Sequence, residues 1–92
     1  MALQTLLVRY TGQVQGVGFR ATVRGLALNF TLRGWVKNEL DGSVSMIASG
    51  DSGDLQRLLR AVRESRVGPM IDREEVEPQA AAVEVPGFEI KK

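Results

Sequence analysis

The 92-residue sequence contains no cysteine and no histidine. Without cysteine there is no disulfide framework, no thiolate metal site and no sulfur nucleophile. Without histidine the commonest general base and the commonest metal ligand are missing, and a phosphohistidine intermediate is excluded. No metal or other cofactor is therefore expected. Aromatic residues make up only 5% of the chain, too few for the paired aromatics on which RNA-binding sheets stack bases, so no nucleic-acid partner is expected. No apolar run approaches the roughly 18 residues of a membrane span, and the opening MALQTLLV has neither the basic start nor the cleavage site of a signal peptide. No membrane partner is expected, and the expected location is cytoplasmic. Acidic residues are scarce locally: residues 1–38 hold Arg9, Arg20, Arg24, Arg33 and Lys37 but no Asp or Glu, whereas residues 67–92 carry six acids against three bases. The N-terminal third should attract anions.

What is present is ordinary for a small globule: 43% hydrophobic and 25% charged residues, with a net charge of +1. A chain this short is expected to form one domain over residues 1–92. Its chemical kit is Arg, Lys, carboxylates, hydroxyls, amides and the backbone, which suits positioning and electrostatics better than covalent catalysis.

Alternation over residues 3–11 predicts a strand, interrupted by glycines between 12 and 18. Phe19, Val23, Leu26, Ala27 and Phe30 then fall on one helical stripe, with Asn29, a residue that tolerates the left-handed conformation, the expected stop near Thr31. Leu32 to Asn38 reads as a second strand, Glu39 to Gly42 as a hairpin turn with an Asp-Gly signal, and Ser43 to Ala48 as a third strand. Gly50, Asp51 and Ser52 cap a helix over residues 53–65. It buries Leu55, Leu58, Leu59 and Val62 and turns Arg57, Arg60 and Arg63 to solvent. Met70 to Glu77 forms a charged strand and Phe88 to Ile90 a short last one. The order βαββαβ plus one strand predicts an α+β, ferredoxin-like split βαβ fold, with two helices on one face of an antiparallel sheet. In that arrangement strand two is expected beside strand one. Trp35, alone in a strand, is expected to pack in the core or on a sheet face.

Two segments carry chemistry. GQVQGVGFR, residues 12–20, places Gly12, Gly16 and Gly18 between a strand and a helix start, so backbone N–H groups can converge into an anion nest at the positive end of a helix dipole. Arg20, in the first turn, could add a guanidinium fork to the same oxygens. The glycines also suggest a degenerate dinucleotide fingerprint, but one split βαβ unit lacks the doubly wound sheet that a dinucleotide requires. GWVKNELDGSV, residues 34–44, offers Asn38 at a strand end, where its amide can orient a water or merely satisfy turn backbone.

Together the segments resemble the acylphosphatase family, whose signatures read G-x-V-Q-G-V-x-F-R and G-(W/F/Y)-V-x-N-x-x-x-G-x-V. Both are matched in full, by residues 12–20 and 34–44. The chain departs from relatives in having Asn29, Phe30 and Thr31 where a glycine is usual, and Glu74 at a strand position that is often apolar. The resemblance implies hydrolysis of small-molecule acyl phosphates, such as acetyl phosphate, to carboxylate and inorganic phosphate. Arg20 and the backbone amides of Gln15, Gly16, Val17, Gly18, Phe19 and Arg20 would bind the phosphoryl oxygens, and Asn38 would hold the attacking water in line. A monomer is expected. Two other readings compete: a noncatalytic anion-binding or regulatory module of the same fold, and a domain of a larger carbamoyl-transferring protein. A chain that starts at Met1 and ends after the last strand favours a free-standing enzyme.

Overall fold

A computed structural model describes residues 2–92. Its elements run β1 (Leu3–Gly12), α1 (Phe19–Ala27), β2 (Arg33–Asn38), β3 (Val44–Asp51), α2 (Ser52–Glu64), a 3-10 turn (Gly68–Met70), β4 (Ile71–Gln79) and β5 (Phe88–Lys91). The strands form a mixed sheet in the order β4-β1-β3-β2-β5, antiparallel throughout except for the parallel β2–β5 pair. Both helices lie on one face, α1 over β2 and β5, α2 over β1 and β3. This is the expected α+β architecture, with three local corrections.

The first concerns strand order. β2 does not lie beside β1, because the tight Glu39–Gly42 turn makes β2 and β3 neighbours and β1 takes the other edge of β3. Being antiparallel to the same strand, β1 and β2 run parallel to each other and end at the same rim of the sheet. Secondly, Asn29 is not left-handed, since no residue other than glycine has positive φ among the described residues. Helix α1 ends instead in tightened turns, Asn29 N–H to Leu26 O and Phe30 N–H to Ala27 O, both 3.1 Å. Phe30 thus leaves the helix while still packing against the core. The third correction is that the last strand pairs in parallel, reached by a connector whose Gly87 carbonyl accepts from Gly34 N–H at 2.9 Å.

The pleat sorts the side chains. Leu6, Val8 and Tyr10 of β1, Val36 of β2, and Val44, Met46 and Ala48 of β3 point to the helices. There they meet Phe19, Val23 and Ala27 of α1 and Leu55, Leu58, Leu59 and Val62 of α2. Each fully buried Val, Leu or Phe contributes about 1.5 to 3 kcal/mol. On the opposite face Trp35 is half-buried, with the Lys91 and Lys37 ammonium groups 5.0 and 5.7 Å from its ring centroid. It is a sheet-face residue, as expected.

Edge strand β4 explains Glu74. Its side chain points to the helix face opposite Tyr10 and is mostly shielded, and Oε1 accepts from Arg63 Nη1 at 2.8 Å. Arg57 and Arg60 pair with Asp54 and Glu64 on the exposed side of α2, where such pairs are worth little. Glu74 Oε2 and the Tyr10 hydroxyl are buried without hydrogen-bond partners among the described residues. Burial, and then the Glu74 carboxylate, push the Tyr10 hydroxyl well above its usual range and keep it neutral. An inward charge on an otherwise charged edge strand discourages edge-to-edge pairing with another chain.

Among the glycines of the sheet, Gly34 has the least room for a side chain. A Cβ there would lie 1.9 Å from the Ile47 carbonyl oxygen and 3.0 Å from Ala48 Cα, both backbone atoms. Gly34→Ala is therefore expected to destabilise the fold by about 3 kcal/mol, the upper range for overpacking. A shift of the denaturant midpoint checks this; an unchanged midpoint would mean that β2 and β3 can separate freely here.

Candidate active site

Three kinds of anchor, core side chains, a backbone bond and a side-chain bridge, fix the segment between β1 and α1. Val14 and Phe19, both essentially buried, pin its two ends in the core, with Phe19 tilted against Tyr10 at a centroid distance of 5.0 Å. Gln13 N–H donates to Met70 O at 3.0 Å. The third anchor is the Gln15 side chain, whose Nε2 donates to Glu39 O (2.7 Å) and Ser43 O (2.9 Å) and ties the loop to the β2–β3 hairpin. Gln15 thus serves through its side chain as well as lying in the nest segment.

Gly16 and Gly18 both have φ of +78°, a conformation that L side chains rarely adopt. Gly18 is the N-cap of α1 and makes no side-chain capping bond. Among the described residues, no carbonyl or side chain accepts from the N–H groups of Gly16, Val17 or Gly18. The loop therefore presents unpaired donors at a helix N-terminus, where partial positive charge accumulates. Arg20, half-buried in the first turn, is held among the described residues by one bond, Nη1 to Lys91 O at 2.9 Å. A guanidinium has five N–H donors, so the rest of the fork is available to an anion.

Asn38 closes β2 opposite Val44. Its side chain makes no hydrogen bond among the described residues, and the turn is satisfied by a different one. Asp41 Oδ1 accepts from Ser43 N–H (3.0 Å) and Ser43 Oγ (2.6 Å), while Oδ2 pairs with Arg9. These bonds, led by that from the Ser43 hydroxyl, hold the Asp41 carboxyl below the usual carboxylate range. The hairpin brace is thus present above the ordinary Asp pKa and is lost only as pH falls through the lowered value.

Gly16, Gly18, Phe19, Arg20 and Asn38 line one pocket of about 170 Å³, completed by Val14, Ala21 and Ile90. The parallel course of β1 and β2 brings these two chain segments to the same rim. Val17 lies partly buried against the core, its carbonyl turned to Arg66 Nη1 at 3.2 Å. Sequence reasoning did not single out Arg66, Ile90 or the Lys91 carbonyl. Contacts across the fold bring them to the loop, and of the three only Ile90 lay in a segment read as regular structure, the strand Phe88 to Ile90, which extends to Lys91.

Comparison with known proteins agrees with this architecture. The family model described as Acylphosphatase matches residues 6–90. A curated acylphosphatase of Salinibacter ruber is 39% identical over 84 residues, which is 91% of this chain and 88% of the relative. The crystal structure of acylphosphatase from Bacillus subtilis superposes with a TM-score of 0.85 at 33% identity, covering 99% of this chain and all of that one. An acylphosphatase from Coxiella burnetii also gives 0.85, at 28% identity over 97% of this chain and 93% of that one. With both signatures placed on one rim of such a sheet, the chain belongs to the acylphosphatase family, hydrolases that act on acid anhydrides.

Proposed function

We propose that the pocket hydrolyses small-molecule acyl phosphates by direct in-line attack of water on phosphorus. The observation that carries this reading is that Gly16, Gly18, Arg20 and Asn38 line one small pocket, with the Gly16 and Gly18 N–H groups and the Asn38 side chain unpaired among the described residues. The nest and Arg20 bind the phosphoryl oxygens. Asn38 orients the water, whose oxygen bonds to phosphorus as the bond from phosphorus to the acyl oxygen breaks. The carboxylate leaves with that electron pair, and a phosphate oxygen takes the water's proton. Phosphoryl transfer depends chiefly on positioning and charge stabilisation, and a carboxylate needs no general acid to leave, so a pocket without imidazole or thiol suffices. In this reading no metal or cofactor takes part, and the protein works as a cytoplasmic monomer. Among the described residues no three potential metal-ligating side chains cluster, and no helix is long and apolar enough to cross a membrane.

Inorganic phosphate presents the same oxygens to the same donors. Millimolar phosphate is expected to raise the apparent KM for acetyl phosphate with kcat unchanged. An apparent KM indifferent to phosphate would remove the anion from the loop.

A further inference from the structure

Arg66 lies outside both signature segments and outside the pocket lining, yet its guanidinium is bonded to the loop. Val67, fully buried, and the turn bond from Gly68 N–H to Ser65 O (3.0 Å) fix the backbone that carries it. Nη1 donates to Val17 O at 3.2 Å and Nη2 to Thr22 Oγ1 at 3.3 Å. The Thr22 hydroxyl in turn donates to Gly18 O at 2.9 Å, so two successive loop carbonyls, Val17 O and Gly18 O, are engaged. A Cβ on Gly18 would lie 2.7 Å from Arg66 Nη2, which places the guanidinium directly against the glycine.

Peptide planarity gives this contact a consequence. In a trans peptide the C=O and N–H vectors are opposed, so a Val17 carbonyl held toward Arg66 sends the Gly18 N–H the other way. That N–H has no acceptor among the described residues. Gly18 cannot fix this orientation by itself, because glycine accepts positive and negative φ about equally. The flipped peptide would aim a carbonyl oxygen at the anion in place of a donor. Resting on the reading of the loop as the phosphate site, we infer that Arg66 is a positioning residue: it locks the Val17–Gly18 peptide with its N–H toward the phosphoryl group.

The test uses Arg66→Ala and Arg66→Lys in the full chain, with inorganic phosphate as the probe. Three quantities are compared with the parent: phosphate affinity, KM for acetyl phosphate, and the phosphate-induced shift of the Gly18 amide resonance. The exposed site should leave the unfolding midpoint almost unchanged. Arg66→Ala is expected to weaken phosphate about five- to tenfold, the effect of about one lost hydrogen bond. KM should rise similarly and the Gly18 shift should shrink, with Arg66→Lys recovering part of each. The deficit relative to the parent should persist at about 1 M salt, where screening acts within roughly 3 Å. A deficit that vanishes in salt would reduce Arg66 to a remote charge and overturn the inference. Parent-like affinity and Gly18 shift in Arg66→Ala would also overturn it, while leaving the loop as the phosphate site. A parent protein that shows no phosphate-induced shift in the loop would remove the site and this inference together.

Discussion

Replacing Asn38 by alanine is expected to lower kcat by about 10² to 10³, equivalent to roughly 3 to 4 kcal/mol of transition-state stabilisation, while leaving KM within a few-fold. The split follows from timing. An amide that positions the nucleophilic water acts chiefly as the barrier is crossed and contributes little to holding the ground-state phosphate. The fold should tolerate the change, because Asn38 makes no hydrogen bond among the described residues and Asp41 and Gln15 brace the hairpin without it. An exposed or half-buried substitution of this kind usually costs about 1 kcal/mol or less. Steady-state kinetics on the folded variant, with phosphate binding measured alongside, checks the prediction. A kcat within a few-fold of the parent would make Asn38 a bystander at the strand end.

Arg20→Lys is expected to impair both KM and kcat, each by tenfold or more, although the charge is kept. Lysine is a point charge without the planar fork, so it cannot grip two phosphoryl oxygens in parallel. It also loses the geometry with which Arg20 both bonds the Lys91 carbonyl and reaches the pocket. In the proposed mechanism Arg20, unlike Asn38, meets the phosphoryl group in ground and transition states alike. The two variants should therefore separate on a plot of KM against kcat, Asn38→Ala moving along one axis and Arg20→Lys along both. Unchanged constants in folded Arg20→Lys would take the guanidinium out of the site.

Local pattern carried most of the fold. Alternation, the Asp41-Gly42 turn and the two amphipathic stripes located the strands and helices, with ends displaced by a few residues, as in β3, which extends to Asp51. Strand order was less legible, because adjacency in the chain does not say which edge of β3 each strand takes. Asn29 misled for a related reason: its tolerance of the left-handed region is a permission, and tightened turns released the chain without using it. Glu74 looked misplaced in the sequence because its partner, Arg63, is eleven residues away and reaches it only once α2 lies on the sheet. Of the candidate site, the pocket shared by Gly16, Gly18, Arg20 and Asn38 was legible because those residue types stand at fixed spacing in two short segments. The supporting contacts were not. The Lys91 carbonyl is backbone, and Arg66 is indistinguishable in sequence from the exposed arginines around it.

The central claim is that water attacks phosphorus in the pocket shared by the loop, Arg20 and Asn38. Hydrolysis of acetyl phosphate in ¹⁸O-labelled water, with the released phosphate and acetate analysed by mass, tests it most directly. The account predicts rapid turnover, with the label entering phosphate and the acetate unlabelled. Label in the acetate, which would place the attack at the carbonyl carbon, or no turnover by the folded protein, would contradict it.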